Sequence, residues 1–195
     1  MPNSRAWLAL LAVSFVCAGL GVAAQRSAGP RLPFEDAGAC PFEGCVYREW
    51  RARSDVEVRV WRRADAPVAF RVHAGERVTA VTGVVVTTRA GRVQFDAPQR
   101  LVAAGGTIEI EPGQTLYLLT YQGEGFTKAW FNGRLYQDVD ASSFLNDACT
   151  TRPARCAGRV IEPAQTEWWV QIRNQAGQVG WTREPSKFDG KDALE

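Results

Sequence analysis

The chain is poor in the side chains that most enzymatic chemistry needs. Its 195 residues include one histidine, His73, and five cysteines. His73 lies between Val72 and Ala74 at the start of a turn around Gly75, on the strand face opposite the apolar row. It reads as a solvated turn residue and not as a general base. No G-x-S-x-G elbow, P-loop, H-E-x-x-H pair or dinucleotide fingerprint occurs. No metal and no cofactor is therefore implied, and the chain is not expected to be an enzyme. Asp138 and Asp140 share one face of a strand, but a glycosidase needs carboxylates facing each other across a cleft. They read as strand-end solvation. Asp147 could add an oxygen for Ca²⁺, yet no glycine-turned acidic loop frames it.

Net charge is also lacking. Lys and Arg number 23 against 21 Asp and Glu, which argues against nucleic acid as a partner, because such binding is driven by phosphate neutralisation. The richest basic stretch, Arg48 to Arg63, is interrupted by Glu49, Asp55 and Glu57 and reads as a solvated strand face. Long apolar runs are confined to the beginning of the chain. Arg5 gives a short positive region, residues 6–16 are apolar apart from Ser14, and Val22-Ala23-Ala24 is a small-residue cleavage pattern before Gln25. Residues 1–24 are expected to be a signal peptide, with no stable membrane span after cleavage. Cys17 follows Val16, not the small residue that a lipidated cysteine wants.

Cys40, Cys45, Cys149 and Cys156 then remain, an even number in an exported chain. Three pairings are open, and short-loop closure favours Cys40 with Cys45 and Cys149 with Cys156. In the chain-entropy picture such local bonds contribute about 2 kcal/mol each, so they pin loops more than they create a fold. Their oxidation leaves no thiolate for Cys-His hydrolysis. Zinc is disfavoured by their spacing and by the lack of a nearby histidine.

What is present is β patterning with period two, and no helical periodicity after the first segment. Residues 25–45 read as a flexible leader with a cysteine loop. Val56, Val58 and Val60 alternate with Glu57, Arg59 and Trp61 as a first strand, broken by Asp65-Ala66-Pro67. Residues 70–82 can be laid over 108–120 at a constant offset of 38, with the apolar positions and the turn glycines Gly75 and Gly113 coinciding. A strand, a glycine turn and a longer strand thus occur twice. Residues 84–88 and 92–95 suggest a hairpin around Arg89-Ala90-Gly91, and 96–106 a boundary. Asn132-Gly133 marks a two-residue hairpin between 126–131 and 134–139. Residues 140–165 read as a cysteine-containing insert, and 186–195 as a C-terminal tail.

The last stretch alternates again. Trp168, Val170 and Ile172 are expected in a core, with Trp169, Gln171 and Arg173 on the outer face. Gly177 is placed for a positive φ, and Gly180 for a close approach. The pattern Trp168-Trp169-x-Gln171-x-Arg173 followed by Gly177-x-x-Gly180-Trp181 resembles the end of a bacterial SH3-like (SH3b) domain. The segment with Gly123-Glu124-Gly125-Phe126 and Trp130-Phe131-Asn132-Gly133 is similar to the middle of such domains. The resemblance implies small barrels that serve as non-catalytic modules in secreted or envelope proteins and are held to bind peptidoglycan.

The expected fold is all-β, with two small SH3-like barrels packed in tandem after the signal peptide, at 46–105 and 106–185. A small barrel cannot bury every ring, so Tyr121, Trp130, Tyr136, Trp169 and Trp181 are candidates for a ligand-binding groove, unless they seal the seam between barrels. The expected function is recognition of a cell-wall peptide or glycopeptide, or another extended peptide, in a secreted or periplasmic setting. The alternative is a structural or assembly role, binding an envelope protein.

Overall fold

Alternating residues become strands nearly everywhere in the computed structural model, which describes residues 28–145, 149 and 156–193. The signal segment, residues 25–27, Cys17 and Asp147 lie outside the described residues. The chain begins with β1 (Phe34–Ala37), β2 (Glu49–Ala52), β3 (Val56–Arg59), β4 (Val68–Val72) and the long β5 (Arg77–Arg89). It then builds β6 (Gly91–Phe95), β7 (Gln99–Ala103), β8 (Gly106–Ile110), β9 (Thr115–Gly123), β10 (Phe126–Phe131), β11 (Arg134–Asp140) and β12 (Gly158–Glu162). It returns with β13 (Gln165–Arg173), β14 (Val179–Thr182), a 3-10 turn at Pro185–Lys187 and β15 (Phe188–Asp189).

The all-β reading holds, but the chain does not finish one unit before starting the next. The first sheet has the order β15-β2-β5-β13-β14-β3-β4, with β1 also on β5. The closing hairpin β13–β14 therefore pairs back on β5, with Trp168 opposite Val85 and Ile172 opposite Ala80. Its core holds Trp50, Val58, Phe70, Val72, Val78, Val170, Ile172 and Phe188. The second unit, β6 to β12, is threaded between β5 and β13 and has its own core around Val93, Phe95, Leu101, Ile108, Ile110, Leu116, Phe131 and Phe144. Each large apolar side chain so buried contributes about 1.5–3 kcal/mol.

The two units share one path. Gly75 N–H donates to the Ala52 carbonyl and Gly113 N–H to that of Phe95. Val78 pairs with Trp50 as Leu116 pairs with Val93, and Ala80 with Ile172 as Leu118 with Ala129. The last short strands follow suit, Phe188 on Ala52 and Gly158 on Phe95. The repeat at offset 38 even keeps its turn. The Glu76 carboxylate accepts the His73 N–H at 2.8 Å, and the Gln114 amide oxygen accepts the Glu111 N–H at 2.8 Å.

Several expected boundaries move. The stretch 96–106 is no boundary, because β7 and β8 pair with each other across it and bury Leu101 and Ile108. Residues 84–95 form no hairpin, since β5 runs through Ala90 into β6, which pairs with β9 and β12. The insert 140–165 supplies β12, and the tail supplies β15, whose Phe188 is fully buried. The leader supplies β1, paired with β5 from Phe34↔Thr87 to Ala37↔Val84. Entry to and exit from the second unit lie side by side, with Arg89 opposite Gln165 and Arg92 opposite Glu162. Both cysteine pairs bond locally, Cys40 with Cys45 and Cys149 with Cys156. The first loop is tied to the C-terminal segment, with Val46 N–H donating to Lys191 and Ala193 N–H to Gly44.

The closing hairpin keeps its glycine logic. Gly177 has φ of 79°, and a Cβ on Gly180 would lie 2.7 Å from a Val58 methyl. The outer face departs from expectation. Trp169 is buried, because Val84 and Val86 meet it on that face, while Trp168 is half-buried against the first core beside Tyr47, Trp50 and Phe42.

The units meet where the second half of β5 faces β9 and where β1 meets β10. The buried Thr87 hydroxyl donates to the Leu119 carbonyl at 3.2 Å, and Lys128 of β10 donates to Asp36 of β1 at 2.7 Å. Both charges of that pair are largely buried, and the other Asp36 oxygen has no partner. Lys128→Met should cost about 3–5 kcal/mol, since it strands a buried carboxylate. The double variant Asp36→Leu/Lys128→Met should recover most of it. Urea unfolding followed by tryptophan fluorescence measures both, and a loss that the double variant does not recover would contradict this account.

Candidate functional site

Strand order places the β3–β4 hairpin beside β14 and the 3-10 turn that follows it, with Trp181 paired to Arg59 across β14 and β3. The small Gly180 lets the two strands close up there. Between hairpin, strand and turn lies a cleft of about 560 Å³. Trp181 and Trp169 line it, together with the outward-facing polar residues of β3 and β4 and Thr182, Arg183, Glu184 and Lys187.

Trp181 is half-buried, and the Arg62 guanidinium lies over its ring at 5.3 Å. Trp169 is held from beneath by Val84 and Val86, and its indole N–H donates to the Glu167 carboxylate at 3.2 Å. The rim is a set of ion pairs. Glu57 takes Arg59 at 3.0 Å on one oxygen and Arg71 at 2.8 Å on the other. Lys187 reaches Glu184 at 2.7 Å, and Arg183 stands 3.7 Å from Glu167. The Asp55 carboxylate accepts the Ala74 N–H at 3.0 Å and faces His73 Nδ1 at 3.3 Å.

These contacts set the protonation. The Ala74 N–H and then His73 hold Asp55 below the ordinary carboxylate range, and the hydrogen bond from Arg71 does the same for Glu57. His73, expected as a solvated turn residue, is exposed on the rim with its ring on Asp55. Among the described residues no three His, Cys, Asp or Glu side chains come together as a cation-holding group. Asp138 and Asp140 do not face each other across a cleft. Asp138 is exposed at a positive-φ position, its N–H donating to Gln122, and Asp140 accepts the Ser142 N–H at 2.9 Å and its hydroxyl.

The five ring candidates separate. Trp169 and Trp181 meet at the cleft of the first unit. Trp130, on the outer face of β10, donates its indole N–H to the Ala28 carbonyl at 3.0 Å and so lies against the leader. Tyr136 packs on the second core, with the Arg134 guanidinium 5.0 Å from its ring centre. Tyr121 is exposed at the end of β9, and its hydroxyl receives the Gly125 N–H at 3.4 Å. Sequence reasoning missed the charged half of the cleft. Its signal was the alternation of Glu57 and Arg59 opposite Val56 and Val58, which by itself is the pattern of any half-exposed strand. Comparison with known protein families, with curated proteins and with solved structures finds no match to the chain.

Asp55, Glu57, Asp65 and Asp140 are all held low in the folded state, so at acid pH the unfolded chain binds more protons. Their contribution is present above the ordinary carboxylate pKa of about 4 and is lost as pH falls through the depressed values. The melting temperature should hold level from about pH 7 to 5 and drop below about pH 4. Scanning calorimetry across that window checks it, and a melting temperature that rises on acidification would contradict it.

Proposed function

We propose that the chain is a non-catalytic binding protein, exported to the bacterial periplasm or exterior, in which two SH3-like barrels are nested, the second between consecutive strands of the first. The cleft along Trp181 takes an extended cell-wall peptide or glycopeptide. Export is supported by the two local disulfides, which persist in oxidising compartments, and by the apolar run and small-residue pattern of residues 6–24. The barrel reading is supported by the shared path of the two sheets and by the Gly177-x-x-Gly180-Trp181 ending. Among the described residues no helix is long and apolar enough to cross a membrane.

One observation carries the binding reading: a half-buried tryptophan walls a cleft in which the carboxylates Asp55, Glu57 and Glu184 are each already engaged by neighbouring cations or N–H groups. Flat rings beside polar groups suit peptide backbones and sugar faces. Asp55, through the Ala74 N–H and His73, and Glu57, through Arg71, are held ionised, which suits recognition and not proton transfer at neutral pH. A second reading, docking to an envelope protein, is favoured by the tip of the β3–β4 hairpin, where Trp61 is 64% exposed beside the exposed Val60 and Val68.

Retention on isolated cell wall separates the two. The wild-type chain should be retained, Trp181→Ala should lose about tenfold in retention or more, and Trp61→Ala should be retained like wild type. Loss of retention through Trp61 with none through Trp181 would favour protein docking, and no retention of the wild type would overturn the wall reading.

A further inference from the structure

The cleft has a polarity that neither its balanced charges nor its fold announces, and it follows from counting hydrogen-bond capacity. The carboxylates facing the cleft are engaged: Glu57 on both oxygens, Asp55 on both oxygens, and Glu184 by Lys187. The cations are not used up. A guanidinium offers five N–H donors, and among the described residues Arg71 spends one on Glu57, while Arg59 spends donors on Glu57 and the Ala66 carbonyl. Arg183 has its nearest carboxylate, Glu167, at 3.7 Å, beyond hydrogen-bond reach. Arg71 and Arg183 are also well exposed, at 65% and 51% of their side chains. The cleft therefore has cationic donors to spare, while each of these carboxylates already has a cation or N–H group for a partner.

The repeat shows that the fold does not impose this polarity. Arg71 pairs with Glu57 across β3 and β4, and the corresponding positions in the second unit, Glu109 and Arg100, carry the same ion pair with its signs exchanged, at 2.7 Å. On β4 the outward cation belongs to the copy that has the tryptophan-walled cleft.

We propose that the ligand of this cleft is acidic: a carboxylate set next to a flat or apolar group, the carboxylate received by the free N–H donors of Arg71 and Arg183 and the apolar group lying against Trp181. This rests on the binding role assigned to the cleft and names the chemical class it selects. Arginine forks match carboxylates in pairs of parallel hydrogen bonds, which an amide of the same shape cannot reproduce with charge.

Two probes identical except in that group test it: N-acetyl-phenylalanine and N-acetyl-phenylalaninamide, titrated into the full chain while the Trp181 indole N–H resonance is followed by NMR, with assignment by Trp181→Phe. The acid should bind at least about tenfold more tightly than the amide. The preference should vanish in Arg71→Gln/Arg183→Gln, checked for an unchanged melting temperature, and shrink at about 0.5 M salt. If acid and amide shift the indole equally, the acidic class is overturned and the cleft remains a binding site. If neither probe moves Trp181 up to its solubility, the binding role of the cleft falls with it. A preference for the acid that survives the double arginine variant would overturn the assignment to these two side chains.

Discussion

The structure depends on the hydrogen bonding of one strand. β5 is thirteen residues long, and its backbone serves β13 along one edge and then β2 and β1 in turn along the other. Over residues 83–87 every side chain is buried. Val84 and Val86 meet Trp169, while Thr87 bonds to the backbone of the second unit. A strand buried on both faces must be apolar throughout, and Val84-Val85-Val86 is that run. Gly83 allows Tyr47 and Trp168 to settle over the same segment, with the Trp168 indole N–H donating to the Tyr47 hydroxyl and that hydroxyl donating to the Ala39 carbonyl.

That constraint explains how one barrel-like unit can be opened in the middle. The ends of the second unit leave and return as neighbours, so β5 and β13 need not part to admit it. Arg89 and Arg92 both approach Glu162 at the crossing, and Gly91 is small because a Cβ there would meet the Ala164 backbone nitrogen at 2.8 Å. Inserting a folded unit whose termini are adjacent costs little more than closing a short loop. Exposed ion pairs at this neck contribute modestly, about 0–1 kcal/mol each. Buried contacts between the units include the Asp36–Lys128 pair and the Thr87 hydroxyl on the Leu119 carbonyl.

Local features were legible in the residues, and long-range ones were not. The Asn132-Gly133 turn could be read because both residues need positive φ, and they have 47° and 81°. The offset of 38 could be read because apolar spacing and turn chemistry repeat together. The partner of β13 could not. Any alternating apolar strand offers it a compatible edge, and nearness in sequence pointed to the second unit, whereas the chain returns past all of residues 91–162. Trp169 followed from the same omission. A period of two assigns it to the opposite face from Val170, correctly, but whether that face is wet depends on Val84 and Val86 of a strand far away in sequence. Phe188 looked like tail because a two-residue strand has no periodicity to detect. The cleft was hidden for a related reason, since its charged rim assembles from β3, β4 and the residues after β14, none of which is distinctive alone.

The two copies of the strand path show how a fold used twice can be put to different ends. Equivalent core positions stay apolar, as with Phe70 and Ile108 or Val72 and Ile110, because either unit would lose its core without them. Outer positions are released from that demand. Where the second unit places Tyr117 and Trp130 as cross-strand neighbours under the leader, the first has Thr79 and Arg173. In the first unit the aromatic surface is moved instead to Trp181, one strand over, where the hairpin and the 3-10 turn flank a cleft. The floor of that cleft is packed from beneath, Trp169 on Val84 and Val86 and Gly180 against Val58. One face of β5 thus supports the cleft through Val84 and Val86, and the other meets the second unit through Thr87.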